Sequence, residues 1–193
     1  MYTIVSFYTA GTDYENIVKT LERQLIDLLI PHKIYSRENK GEWILNTQQK
    51  SEVLLTAMTE LKSDIVWLDA DAELLKYPKH FDYLSVYNGF DICLHFLNTY
   101  YNPKELLTGT IYLKNNPVVM ELLKAWDNHN KTVKETDQTA LQNVLLKLPH
   151  VRIEPLPKEY IKIKGFENLQ GEINPVVYHT QASRQQRAKI NVK

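Results

Sequence analysis

The chain has 193 residues, with 44% hydrophobic and 24% charged, which is enough apolar material for one sizeable core and gives no signature of disorder. Lys plus Arg and Asp plus Glu each number 23, so the formal net charge is zero, and this demotes a general nucleic-acid binder, which needs a basic face. No apolar run reaches the roughly 18 residues of a membrane helix, the start does not read as a signal peptide, and the one cysteine, Cys93, allows no intrachain disulfide; a cytoplasmic protein is the expectation.

Tyr2 to Tyr8 reads as the first strand and Thr9 to Asp13 as the loop after it, where Gly11 permits a turn and Thr12 or Asp13 can cap the next helix. That helix carries Ile17, Leu21, Leu25 and Leu28 at near-helical spacing and ends before Pro31. Strand, glycine-containing loop and helix open a nucleotide-binding α/β unit, so Thr9, Thr12 and Tyr14 are candidates for gripping a base or ribose. Capping explains Thr12 equally well. His32 to Tyr35 suits a second strand, and a second helix from about Asn46 to Leu61 buries Val53, Leu54, Ala57, Met58 and Leu61. Lys50 lies on that same face one turn nearer the amino end, where it can meet a carboxylate or a phosphate, or run its stem along the helix edge.

Lys62-Ser-Asp-Ile-Val-Trp-Leu-Asp-Ala-Asp-Ala-Glu-Leu-Leu75 organises the rest. Ile65 to Leu68 fits a strand buried on both faces, and Asp69-Ala70-Asp71 falls at its carboxyl end, where open α/β sheets bind ligands. Carboxylates at i and i+2 of an extended segment point the same way, and hard oxygen ligands suit Mg²⁺ or Mn²⁺ holding a nucleotide diphosphate. Asp69 and Asp71 as turn or cap residues is the competing account.

Downstream, a short segment spans His80 to Val86, and strands are expected at Phe90 to Phe96, which places Cys93 in the core, and at Leu106 to Leu113. Gly109 within the latter suggests a bulge or a close approach of ligand to backbone. Asn116-Pro117 opens a helix with Val119, Leu122, Leu123 and Trp126 as its buried side. A further helix begins near Lys134 to Leu141, where Asp137 and Gln138 share the apolar face; Asp137 either caps that helix or meets a substrate hydroxyl. Pro175 to His179 is the last strand, and His179 at its end could supply a metal nitrogen or be structural. Arg184, Arg187 and Lys189 could close over an anionic leaving group or form a solvated tail.

The ordered set FYTAGTDY, a helix with Lys50, IVWLDADAEL, TGTIYLK, ETDQTAL and VVYHTQASR resembles the small nucleotide-sugar-dependent glycosyltransferases of the GT-A type, as in compact bacterial, phage and chlorovirus domains. The resemblance implies a single GT-A-like, Rossmann-like α/β domain over 1–193, a mostly parallel central sheet flanked by helices, and a C-terminal tail at 180–193. It implies a metal site of Asp69, Asp71 and His179, with Mn²⁺ favoured over Mg²⁺. A nucleotide site would use Thr9, Thr12, Tyr14, Lys50, Asp69, Ala70 and Arg184, and a sugar or acceptor pocket Thr108, Gly109, Thr110, Asp137 and Gln138. Asp137 would bind a sugar hydroxyl or act as base, with Gln138 beside it and Glu73 in reserve. The partners implied are a nucleotide diphosphate sugar of UDP or GDP type and a glycan or other hydroxyl acceptor.

Three rivals are weighed against this. A sugar-phosphate nucleotidyltransferase calls for a glycine-rich basic loop after the first strand, which Thr9 to Asp13 lacks. A haloacid-dehalogenase-like phosphatase carries its Asp-x-Asp on the opening strand. A non-catalytic nucleotide- or carbohydrate-binding module would keep the fold without turnover.

Overall fold

The computed structural model describes residues 1–97 and 105–182. The chain opens with β1 (Tyr2–Thr9), turns at Gly11, where φ is +70°, and enters α1 (Tyr14–Asp27). Thr12 serves that turn: its hydroxyl donates to the Thr9 carbonyl and accepts from the Tyr14 N–H, whereas the Asp13 side chain makes no capping bond. β2 (His32–Arg37) and α2 (Trp43–Leu61) follow, the helix starting three residues earlier than its apolar spacing indicates.

β3 (Asp64–Leu68) is the centre of the molecule. Ile65, Val66, Trp67 and Leu68 are each at most 1% exposed, and they alternate between two cores. Ile65 and Trp67 pack with Val53, Leu54 and Met58 of α2, while Val66 and Leu68 pack with Leu21 and Leu25 of α1. A strand buried on both faces has no solvent side to pattern, which is why its sequence is a continuous apolar run.

β4 (Ala72–Leu74), α3 (Lys79–Val86), β5 (Ile92–Leu97) and β6 (Glu105–Leu113) come next. α4 (Pro117–Thr132) is capped by Asn116, whose side chain accepts from the Val119 N–H, with Pro117 at its first position. α5 (Asp137–Lys147) is capped by Thr136 rather than Asp137, because the Thr136 hydroxyl takes the Thr139 N–H. The chain ends its described part with β7 (Ile153–Pro155), a short 3₁₀ turn, β8 (Lys162–Ile163), α6 (Glu167–Gln170) and β9 (Val177–His179).

The main sheet has the order β2-β1-β3-β6-β5-β7. β6 alone is antiparallel to its neighbours; the other pairings are parallel, as expected of a mostly parallel α/β sheet. α2, α4 and α5 cover one face, and α1 and α3 contribute to the core on the other. Of a second sheet, β4-β9-β8, only β9 falls within an expected strand, Pro175 to His179; β4 and β8 are three and two residues long, too short for any periodicity. This sheet pairs Ala72 with His179 and so brings the last strand back to the end of β3.

The β5–β6 ladder is irregular at one point. Cys93 pairs with Tyr112 and His95 with Leu107, so two steps along β5 are matched by five along β6. The extra residues form a bulge around Gly109 and shift the side-chain alternation by an odd number. Leu106 and Ile111 consequently face the same core, although simple alternation would put them on opposite faces.

Candidate active site

A cleft of about 510 Å³ lies at the carboxyl end of β1 and β3. Asp69, Ala70 and Asp71 line it, together with Thr9, Thr12 and Tyr14 from the β1–α1 turn and Lys50 from α2. β6 contributes Thr108 and Gly109, α5 contributes Asp137 and Gln138, and β9 contributes His179. Residues far apart in sequence therefore meet in one crevice.

The acidic triplet is a turn, not an extended segment. The Ala72 N–H donates to the Asp69 carbonyl at 2.9 Å, and the chain leaves along β4. Both carboxylates still reach the cleft, since a tight turn after a strand presents its side chains over the sheet edge. Glu73 pairs across to Tyr178 and does not line the cleft, and among the described residues the cluster consists of Asp69, Asp71 and His179.

Asp69 Oδ1 accepts from Trp67 Nε1 at 2.8 Å and from Lys50 Nζ at 2.9 Å. Lys50 Nζ also reaches Asp137 Oδ2 at 2.6 Å and the Thr108 carbonyl at 3.1 Å, and lies 5.2 Å from the centre of the Trp67 ring. Lys50 as a whole is 4% exposed. Burial pulls its pKa down, but the Asp137 and Asp69 carboxylates outweigh that pull and hold it above the ordinary lysine value. Asp69 is held above the usual carboxylate range, first by withdrawal from bulk water and then by Asp137 and Asp71, with Lys50 opposing. The carboxylate partner that the sequence allowed Lys50 is present twice, in Asp69 and Asp137.

Asp71 Oδ2 accepts the Ala182 N–H at 2.8 Å, and Oδ1 lies 3.7 Å from His179 Nδ1. Burial raises the Asp71 carboxyl, but the adjacent His179 and the Ala182 N–H more than offset it and leave it below the ordinary value. Thr180 and Ala182, at the start of the stretch expected to form a tail, are thus pinned to Asp71: the Thr180 N–H also donates to its carbonyl. Arg184, Arg187 and Lys189 lie outside the described residues.

Ligand atoms of Asp69, Asp71 and His179 all lie within 4.8 Å of one another. Two oxygen ligands held roughly 2.1 Å from one ion sit up to about 4 Å apart, so the cluster needs only a small contraction to take a divalent cation. Two carboxylates and an imidazole form a donor set suited to Mn²⁺ or Mg²⁺, and these residues fit such an ion.

The remaining candidates divide. Asp137, 6% exposed, also takes the Thr108 hydroxyl on Oδ2 at 3.0 Å, while Gln138 Nε2 donates to Glu105 Oε1 at 3.0 Å. Thr110 is fully buried, does not line the cleft, and lies behind His179 with Oγ1 2.9 Å from Nε2. Gly109 lines the cleft and is approached closely by His179: a Cβ there would stand 2.9 Å from the His179 Cε1. Trp67, Trp43, Glu105 and Phe166 also line the cleft and were not singled out from sequence. Trp67 reads as core because its ring is core; only its indole N–H turns to Asp69. Burial moves the Cys93 thiol up to about 12, as expected of a core residue.

The nucleotide-diphospho-sugar transferase family description matches residues 36–192. Among solved structures, the fold is similar to a glycosyltransferase involved in the glycosylation of the major capsid of PBCV-1, with a TM-score of 0.73, 13% identity and coverage of 100% of this chain and 99% of that one. The galactosyltransferase LgtC, in complex with donor and acceptor sugar analogs, aligns with a TM-score of 0.57 and 8% identity over 93% of this chain and 87% of its own. Mouse xyloside xylosyltransferase 1 in its apo form gives a TM-score of 0.54 and 8% identity over 94% and 98%. A sequence search of curated proteins finds no significant match. With the family description spanning well over half its length and the GT-A architecture around an Asp-x-Asp turn, the chain belongs to the nucleotide-diphospho-sugar transferase family.

Proposed function

We propose that this chain is a divalent-metal-dependent glycosyltransferase, moving a hexosyl-type sugar from a nucleotide diphosphate sugar of UDP or GDP type to a hydroxyl of a glycan or other acceptor. The observation that carries the reading is the convergence of Asp69, Asp71 and His179 in the cleft. The ion they would hold, Mn²⁺ in preference to Mg²⁺, supplies charge neutralisation for the departing diphosphate.

The chain's own groups do the rest. Thr9 and Thr12, hydroxyls 2.9 Å apart, with Tyr14, form the wall for base and ribose. Ala70, with only a methyl on the turn, lets the nucleotide approach the backbone. Lys50 keeps Asp69 and Asp137 in fixed orientations rather than gripping phosphate itself. Asp137, with Oδ2 committed to Lys50 and Thr108, has Oδ1 for a sugar hydroxyl, and Gln138 has its amide oxygen for sugar or acceptor. Thr108 and Gly109 shape the sugar side of the cleft. The cytoplasm, where such donors are made available and a lone thiol stays reduced, is the compartment we assign.

A thermal-shift panel with UDP, GDP, CDP and dTDP, each with and without Mn²⁺, tests the reading. At a hundredfold excess over Kd a ligand adds about 2.7 kcal/mol. For a chain of this size that is a rise of roughly 5–10 °C. One nucleotide should give it, only with Mn²⁺, and Asp71→Asn should abolish it. No shift with any nucleotide would refute the donor site.

A further inference from the structure

His179 is 4% exposed and is held on two sides by adjacent residues of β6. Thr110 Oγ1 meets Nε2 at 2.9 Å, while the absent side chain of Gly109 leaves room for the ring edge, which a Cβ would crowd to 2.9 Å at Cε1 and 3.2 Å at both nitrogens. The other nitrogen, Nδ1, points at Asp71 Oδ1 across 3.7 Å, too far for a hydrogen bond and suited to an ion between them. For Nδ1 to offer a lone pair, the ring proton must sit on Nε2, and Thr110 Oγ1 is the acceptor standing there.

We propose that Thr110 and Gly109 are positioning residues for His179: the Thr110 hydroxyl accepts the Nε2 proton and fixes the tautomer, and Gly109 supplies the space that lets the ring stand with Nδ1 toward Asp71. The proposal rests on the metal reading above. It gives Thr110 a role one layer behind the ion, not the sugar-contacting role implied by resemblance. It also explains why a glycine stands in the middle of a buried strand, where it costs stability.

Mn²⁺ binding followed by electron paramagnetic resonance, with Mn²⁺ alone and with Mn²⁺ plus UDP, separates this proposal from its premise. Wild type should bind Mn²⁺ and His179→Ala should bind it at least a hundredfold more weakly; equal binding by the two, or none by wild type, overturns the metal reading and this proposal with it. Given that result, Thr110→Val, which keeps the volume and removes the hydroxyl, should weaken Mn²⁺ by about 10–100-fold. Thr110→Ser should restore it to within about threefold, and Gly109→Ala should weaken it as Thr110→Val does. Metal-free melting is measured on each variant. Wild-type Mn²⁺ affinity in Thr110→Val or Gly109→Ala overturns the positioning roles while leaving the metal site standing. So does a loss that Thr110→Ser fails to restore.

Discussion

Replacing Lys50 by Met keeps most of the aliphatic stem and removes the ammonium, and the cost can be worked from its contacts. Nζ sits between Asp137 Oδ2 at 2.6 Å and Asp69 Oδ1 at 2.9 Å, with side-chain exposures of 8% and 38% for the two carboxylates. The Thr108 carbonyl also loses its donor. The trio carries one positive and two negative charges, so removing the cation leaves two carboxylates near each other in a poorly solvated site. Breaking a buried pair by deleting one partner costs about 3–5 kcal/mol, and the half-open Asp69 places this case near the lower end, at roughly 3 kcal/mol. Urea unfolding of Lys50→Met against wild type measures it. Asp137→Asn in the Lys50→Met background should recover part of the loss, because a neutral amide needs no counter-charge, giving a coupling of about 1–3 kcal/mol in the double-mutant cycle. A Lys50→Met penalty below about 1 kcal/mol, or additivity in the cycle, would refute the claim that Lys50 is the structural cation of the site.

Two further outcomes follow from groups outside the cleft. Asp91 accepts from Arg152 through its backbone N–H, Nε and Nη2 and from the Asn116 amide, and the Arg152 hydrogen bonds hold its carboxyl at about 2. Its folded value lies below the ordinary 3.8, so the stability it contributes is present above that value and is lost as pH falls toward 2; urea unfolding from pH 5 to pH 2 should show that loss in wild type and a flatter profile in Asp91→Asn. An unchanged slope would count against the Asp91–Arg152 tie as a stabilising contact. Cys93, fully buried and pushed up to about 12, should resist iodoacetamide at pH 8 in the native protein and react on unfolding; rapid native alkylation would contradict its place in the core.

The sequence was most informative where burial is complete or periodic. β3 announces itself as an unbroken apolar run because both of its faces are covered, and the spacing of Val119, Leu122, Leu123 and Trp126 marks the apolar buried side of α4, to which the structure adds the buried Asp127. In α1 the buried stripe uses Val18 in place of Ile17, a one-residue rotation that helical periodicity alone does not resolve. The site was legible as residue types: Asp69, Asp71, His179, Lys50 and Asp137 do converge. Their connections were not. That Lys50 meets the Asp137 carboxylate and the Thr108 carbonyl depends on where α5 begins and how β6 runs, and these are contacts 87 and 58 residues away along the chain. Likewise nothing in Glu105 or Trp43 signals a cleft, since both are placed by tertiary packing rather than by any local pattern.

The bulge in β6 is the feature that makes one short segment serve two halves of the site. In a regular strand Thr108 and Thr110, two residues apart, would project from the same face. Here Thr108 turns to Asp137 on the α5 side, together with Leu106, while Thr110 turns to His179 on the side of the small sheet, together with Tyr112. The odd shift in register between β5 and β6 produces this division, and Gly109 sits at its centre with its carbonyl accepting the Asp69 N–H at 2.9 Å. The middle of one strand therefore supports the Lys50–Asp137 pair with one residue, anchors the turn that carries Asp69 with the next, and backs His179 with the third. The sequence Thr-Gly-Thr satisfies three requirements that a regular apolar strand could not: a hydroxyl on each face, and no side chain between them.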